Sequence, residues 1–145
     1  MNESAITGKG NDVAGIVAEQ QNAGSVKNCT NRGEIRNNTA SYGTAGIVGW
    51  IRYNGATKDY PVKNVIEVTG NTNYGKVSGG NDAGGIVGTV YNLGKVNDNK
   101  NFAPSLQAAT FAAGIVGNAQ FTETAVGLDL QNSVEVKNNV STTTL

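Results

Sequence analysis

Few side chains in this chain are suited to chemistry, and their spacing argues against most of what they suggest. The segment Gly70-Asn71-Thr72-Asn73-Tyr74-Gly75-Lys76-Val77 nearly spells a phosphate-binding loop. Its last position needs a hydroxyl for magnesium, and Val77 has none. Gly79-Gly80-Asn81-Asp82-Ala83-Gly84-Gly85 has the glycine-aspartate look of a calcium-binding nonapeptide, but its aspartate is misplaced. Asn97-Asp98-Asn99-Lys100-Asn101 is rich in oxygen but lacks the turn glycine and terminal glutamate of a calcium loop. The first stretch is explained by a repeat, since Gly75-Lys76-Val77 has a sister at Gly94-Lys95-Val96. Asx-turns account for the two calcium-like stretches, and for Asp12 after Gly10-Asn11, without a metal. The chain contains no histidine, so the usual general base and the usual zinc ligand are both missing. Cys29 has no histidine partner and is expected to face a core as an inert thiol. Polysaccharide-cleaving enzymes need a converging pair of carboxylates, whereas Glu19, Glu34, Asp59 and Glu67 are scattered singly. No catalytic residue, metal ligand or cofactor is expected, and the chain does not read as an enzyme.

Recognition is the better prospect. Trp50, Tyr53, Tyr91 and Phe121 form a candidate binding surface. The last three fall six or seven residues after a repeated glycine and could stack on sugar rings or anchor a protein. They could equally act as lids over the ends of a sheet. An ice-binding face would need threonine in register, and Thr122, Thr124 and Thr142 to Thr144 do not provide it. Eleven basic and eleven acidic side chains cancel, with no run of either sign, so nucleic acid is not an expected partner. No stretch approaches the ~20 apolar residues that span a bilayer, so membrane insertion is not expected. Four Asn-x-Ser/Thr triplets, at Asn2, Asn28, Asn37 and Asn139, mean little in a chain with 20 asparagines.

The elements that must position these groups come from a repeat. Gly15-Ile16-Val17-Ala18, Gly46-Ile47-Val48-Gly49, Gly85-Ile86-Val87-Gly88 and Gly114-Ile115-Val116-Gly117 are copies of one phrase, 31, 39 and 29 residues apart. A second phrase follows each copy, at Val26-Lys27-Asn28-Cys29, Val62-Lys63-Asn64-Val65, Val96-Asn97-Asp98-Asn99 and Val136-Lys137-Asn138-Asn139. A third closes two units, at Gly33-Glu34-Ile35 and Gly75-Lys76-Val77. Short β-branched segments between Asn/Gly turns predict strands, with one unit per coil of a β-solenoid. Helices are disfavoured, because glycine in every copy costs about 1 kcal/mol each in a helix. Residues 52–61, 99–112 and 118–131 read as insertions, and Pro104 to Ala109 as a possible helical turn. Strand alternation directs Ile16, Ile47, Ile86 and Ile115 inward and Val17, Val48, Val87 and Val116 outward. That valine ladder would be covered by loops of the chain itself or would pack on another chain.

The phrases Ala-Gly-Ile-Val-Gly, Gly-x-Val-x-Asn-Cys and Asn-x-Gly-x-Ile/Val resemble the GLUG repeat of bacterial surface proteins. The clearest copy runs from Ala14 through Gly24-Ser25-Val26-Lys27-Asn28-Cys29 to Ile35. The resemblance covers nearly the whole chain; Cys29 keeps the family-like cysteine, and the third and fourth units depart most. It implies a right-handed β-helix or related solenoid, an extracellular setting and an adhesive or spacer role. It brings no catalytic residues.

The reading is an all-β chain: a single solenoid domain over 1–145, with about four coils, loop insertions and units near 5–38, 39–77, 78–105 and 106–145. The expected role is a non-catalytic adhesion, ligand-binding or spacer module at the bacterial cell surface, with a host protein or glycan as partner. The N-terminus lacks a secretory signal pattern, so this setting implies a piece of a larger or processed chain. The alternative is a self-assembling subunit of a filament or surface layer.

Overall fold

In a computed structural model the described residues are 1–53, 66–120 and 134–144, and all their regular elements are strands. Each rung contributes five strands, and equivalent strands of successive rungs stack in parallel to give five four-stranded sheets. Sheet I holds β1 (Ile6–Gly8), β6 (Ile35–Asn37), β11 (Val77–Gly79) and β16 (Leu106–Gln107). Sheet II holds β2 (Val13–Ala14), β7 (Gly43–Ala45), β12 (Asp82–Gly84) and β17 (Phe111–Ala113). Sheet III is the longest, with β3 (Val17–Gln21), β8 (Val48–Arg52), β13 (Val87–Tyr91) and β18 (Val116–Gln120). Sheet IV holds β4 (Ser25–Lys27), β9 (Glu67–Thr69), β14 (Gly94–Asn97) and β19 (Val134–Lys137). Sheet V holds β5 (Thr30–Asn31), β10 (Thr72–Asn73), β15 (Lys100–Asn101) and β20 (Val140–Ser141). The chain is thus a β-solenoid of about four coils.

Stacking places like on like. Ile35 and Val77 pair in register in sheet I, and Val26, Val68, Val96 and Val136 in sheet IV. Ile35, Val77, Leu106, Val13 and Ala83 form one apolar cluster, and Val48, Val87, Val68 and Val96 belong to a second with Ile47 and Ile86. Asparagine fills the interior between apolar ranks, in two hydrogen-bonded ladders. In the first, Asn2 Nδ2 donates to Asn31 Oδ1 (2.7 Å), Asn31 to Asn73 (2.8 Å) and Asn73 to Asn101 (2.9 Å). Asn101 Nδ2 ends it on the Thr143 hydroxyl at 2.6 Å. In the second, Asn71 Nδ2 donates to Asn99 Oδ1 and Asn99 Nδ2 to Asn139 Oδ1, each at 3.0 Å. Each side chain in these ladders meets its counterpart one rung away, so a polar interior is tolerated because it is bonded.

The ladders explain the repeated phrase. A methyl group on Gly46 would lie 2.2 Å from Asn73 Cγ and 2.4 Å from the Gly85 carbonyl. On Gly88 it would lie 2.7 Å from the Thr44 nitrogen, because sheets II and III approach closely there. The first glycine therefore admits the asparagine ladder, and the last admits a neighbouring backbone. Corners use left-handed residues in rank: Asn28 (φ 55°), Gly70 (φ 69°), Asp98 (φ 57°) and Asn138 (φ 54°) turn sheet IV into sheet V.

Four readings of the sequence are corrected by this register. Val48 and Val87 are fully buried in the core with Ile47 and Ile86, and Val17 and Val116 pack against that core, so there is no outward valine ladder. The strands break at Gly-Ile and resume at Val, and this corner resets the alternation. The partner of Val26 is Val68 rather than Val62, so the second phrase of that unit is Val68-Thr69-Gly70-Asn71. Residues 62–65 lie outside the described residues. Leu106 and Gln107 form a strand where a helical turn was expected, and 99–112 supplies β15, β16 and most of β17 rather than an insertion.

Candidate functional site

The four predicted aromatics do not share a surface. Tyr53 is 2% exposed, and its main-chain N–H donates to the Tyr91 carbonyl, so it belongs to the interior and not to a binding face. Phe121 lies outside the described residues. Trp50 and Tyr91 do meet, edge to face, with ring centroids 6.3 Å apart.

They are joined by a residue that sequence spacing missed. Tyr42, just before β7, stacks on Trp50 with centroids 5.0 Å apart and planes 24° apart, and it remains 48% exposed. The Arg52 guanidinium lies 4.8 Å from the Trp50 ring centre, so Trp50 is braced by three neighbours. β8 positions Trp50 and Arg52 on alternate residues, and β13 supplies Tyr91 in register with Arg52. The indole Nε1 of Trp50 and the Nε of Arg52 are shielded from water and meet no acceptor among the described residues.

Two carboxylates flank these rings. Glu19 is the register neighbour of Trp50 and lies 3.8 Å from Arg52. Asp12 accepts the Gly43 N–H at 3.3 Å. Burial pushes the Asp12 carboxyl up to about 6, with Glu19 adding to the rise, while the Gly43 N–H and Arg52 oppose it. Beyond them, Asp82 accepts from the Thr89 hydroxyl (2.9 Å) and from Asn118 Nδ2 (3.1 Å), a structural arrangement inside the II–III arch.

A second outward region lies at the corner from sheet V into sheet I. Each residue after a ladder asparagine faces out there: Arg32, Tyr74 and Phe102. Tyr74 and Phe102 have centroids 5.5 Å apart, and the Arg32 guanidinium lies 4.7 Å from the Tyr74 ring centre. Beside this column, on the outer face of sheet I, is a polar groove of about 250 Å³, lined by Glu34, Arg36, Asn38, Lys76, Ser78 and Gln107 among others. Aligning the chain on Asn31, Asn73 and Asn101 would have revealed the column; aligning it on the glycine phrase does not.

Chemically these surfaces can stack, donate and accept. Among the described residues no three Asp, Glu or Cys side chains gather as a metal site. Cys29 is partly buried against the core, and its thiol points at the Lys27 carbonyl (3.5 Å). Among the described residues no helix is long and apolar enough to cross a membrane. The chain matches no protein-family model, no curated protein and no solved structure.

Proposed function

We propose that the chain is a non-catalytic binding and spacer module of an extracellular bacterial surface protein, and that its Tyr42–Trp50 surface binds neutral glycan. The observation that carries this reading is the half-exposed Tyr42 ring, held by stacking on a Trp50 that Tyr91 and Arg52 brace in turn. A rigid aromatic loses little entropy on stacking against a sugar. Asp12 and Glu19 stand beside it as acceptors for hydroxyl groups. The parallel scaffold suits a spacer, because each rung is bonded along its length to the next. The likeness of Ala14 through Ile35 to GLUG repeats supports the extracellular setting.

Affinity electrophoresis through gels containing neutral polysaccharides tests the reading. Retardation by at least one neutral glycan is expected, and Tyr42→Ala should abolish it while leaving the far-ultraviolet spectrum unchanged. A protein that migrates freely through every gel, or whose retardation survives Tyr42→Ala, defeats the proposal.

End-to-end self-assembly has one observation in its favour. The last rung exposes Phe111 (51%), Val136 (46%) and Val140 (49%). The ladders count against it: one ends on the Thr143 hydroxyl, and the other begins at Cys29, which cannot accept as an asparagine would. Light scattering over a range of concentrations distinguishes the two, with growth in mass favouring stacking.

A further inference from the structure

The corner between sheets V and I carries cations that form no ion pair among the described residues. The ion pairs of the described residues are Lys27–Glu67, Arg52–Glu19 and Lys137–Glu135, and none of them involves Arg32, Arg36, Lys76 or Lys100. These four stand on outward positions of three successive rungs: Arg32 at the corner and Arg36 on β6 in one, Lys76 just before β11 in the next, and Lys100 on β15 in the third. Three acids stand near them without forming an ion pair: Glu3, which follows Asn2 and so falls opposite Arg32, Glu34, opposite Lys76 one rung away, and Asp98, two residues before Lys100. In a chain whose total charge is zero, four cations against these three acids leave the strip with a small positive excess.

We infer that this strip is a second binding site, for an acidic polysaccharide whose carboxylates or sulfates meet Arg32, Arg36 and Lys76. Arg32 carries the argument furthest. Its guanidinium carbon sits over the Tyr74 ring, and Tyr74 is backed by Phe102, so the head group is already held in place before any ligand arrives. No hydrogen bond or ion pair among the described residues uses its guanidinium N–H donors, so they are free for a bidentate anion. Both faces of Tyr74 are occupied in this column, so a sugar ring does not stack there; recognition is by charge. The adjoining groove presents Asn38, Ser78 and Gln107 to a ligand rich in hydroxyls.

A polysaccharide fits better than an acidic peptide. The cations are spread over successive rungs and around a corner, which suits a chain of repeated anionic groups rather than a single ion. A peptide strand would seek an open sheet edge or apolar pockets. The strands of sheet I are paired along the side of the solenoid, and the groove lining is polar. The inference is independent of the Tyr42 surface, which lies on sheets II and III.

Binding to polygalacturonate, dextran and polyglutamate by the intact chain tests it. Polygalacturonate should bind, weakening steeply as sodium chloride rises from about 50 to about 200 mM. Arg32→Gln with Arg36→Gln should weaken it about tenfold or more, and Arg36→Gln alone by a smaller factor. Lys95→Gln, on sheet IV, and Tyr42→Ala should leave it unchanged. Three results would each overturn the inference: no binding to polygalacturonate, equal binding by the double variant, or polyglutamate bound as tightly. Loss on Tyr42→Ala with the arginine variants intact would move the acidic glycan to the other surface, which also overturns it.

Discussion

Replacing Asn99 by alanine tests the interior ladder where it is most fully bonded. Asn99 has no exposed surface and makes four side-chain hydrogen bonds. Its Oδ1 accepts from the Asn71 main-chain N–H at 2.9 Å and from Asn71 Nδ2 at 3.0 Å. Its Nδ2 donates to the Val68 carbonyl at 2.9 Å and to Asn139 Oδ1 at 3.0 Å. Two partners keep another bond when Asn99 is truncated: Asn71 Nδ2 still reaches the Val26 carbonyl, and Asn139 Oδ1 still accepts the residue-99 N–H. The Asn71 N–H loses its acceptor in a place without water, at a cost of about 1–3 kcal/mol, and each further lost bond costs about 0.5–1.5 kcal/mol. With three further bonds lost, the sum is about 2.5–7.5 kcal/mol, a large part of the ~5–15 kcal/mol that holds a typical domain together. Urea unfolding followed by circular dichroism reads the change as a lower midpoint at unchanged slope. Asn38→Ala, at an exposed position, should stay within about 0.5 kcal/mol of the parent. An Asn99→Ala protein within about 1 kcal/mol of the parent would refute the claim that the ladder holds the rungs together.

Three further substitutions probe other parts of the argument. Cys29→Asn should stabilise the chain by about 1 kcal/mol in the same assay: Asn71 Oδ1 now accepts the Cys29 N–H, and an amide at 29 would add the bond that Asn71 gives Asn99 one rung on. A loss of stability would show that thiol packing outweighs the added bond. Gly46→Ala should cost about 3 kcal/mol or more, since the new methyl overlaps Asn73 Cγ at 2.2 Å, whereas Gly10→Ala, with nothing within 4 Å, should be nearly silent in thermal melts. Asp12→Asn should change the pH dependence of stability. The native carboxyl titrates near 6 and the unfolded one near 4, so the folded state holds the extra proton between them and stability falls as pH rises through that window. After solvent screening the effect is about 1 kcal/mol; parallel profiles for parent and variant from pH 4 to about 7 would contradict the burial of Asp12.

The architecture was legible because the glycine phrase recurs and its spacing leaves room only for short strands. What sequence could not show was parity. Tyr53 and Tyr91 fall seven and six residues after their repeated glycines, Gly46 and Gly85. One residue of difference turns a strand side chain to the other face, so one is core and the other surface. The valines were misplaced because a corner between Gly and Val breaks the alternation that a single strand would keep. Register in the second unit was hidden by chemical equivalence. Val62-Lys63-Asn64 matches the letters of Val26-Lys27-Asn28, but Gly70 takes the left-handed backbone of Asn28, so Val68-Thr69-Gly70 is the physical copy. Tyr42 lies outside every repeated phrase, and only the close approach of sheets II and III brings it to Trp50.

The repeat is therefore silent about function for a physical reason. Each recurring residue is taken up by the stack: glycines by close backbone contact, asparagines by ladders, isoleucines and valines by the two cores. The rank beside the first ladder makes the contrast plain. Asn31, Asn73 and Asn101 agree because each must bond the next, while the outward residues that follow them are Arg32, Tyr74 and Phe102. No stacking rule demands that outward set, nor the meeting of Tyr42 with Trp50 and Arg52. A solenoid can change such positions one rung at a time without disturbing its interior. On the proposed binding role, specificity belongs to the ranks where the rungs disagree, and variants there should alter glycan binding while leaving the unfolding midpoint nearly fixed.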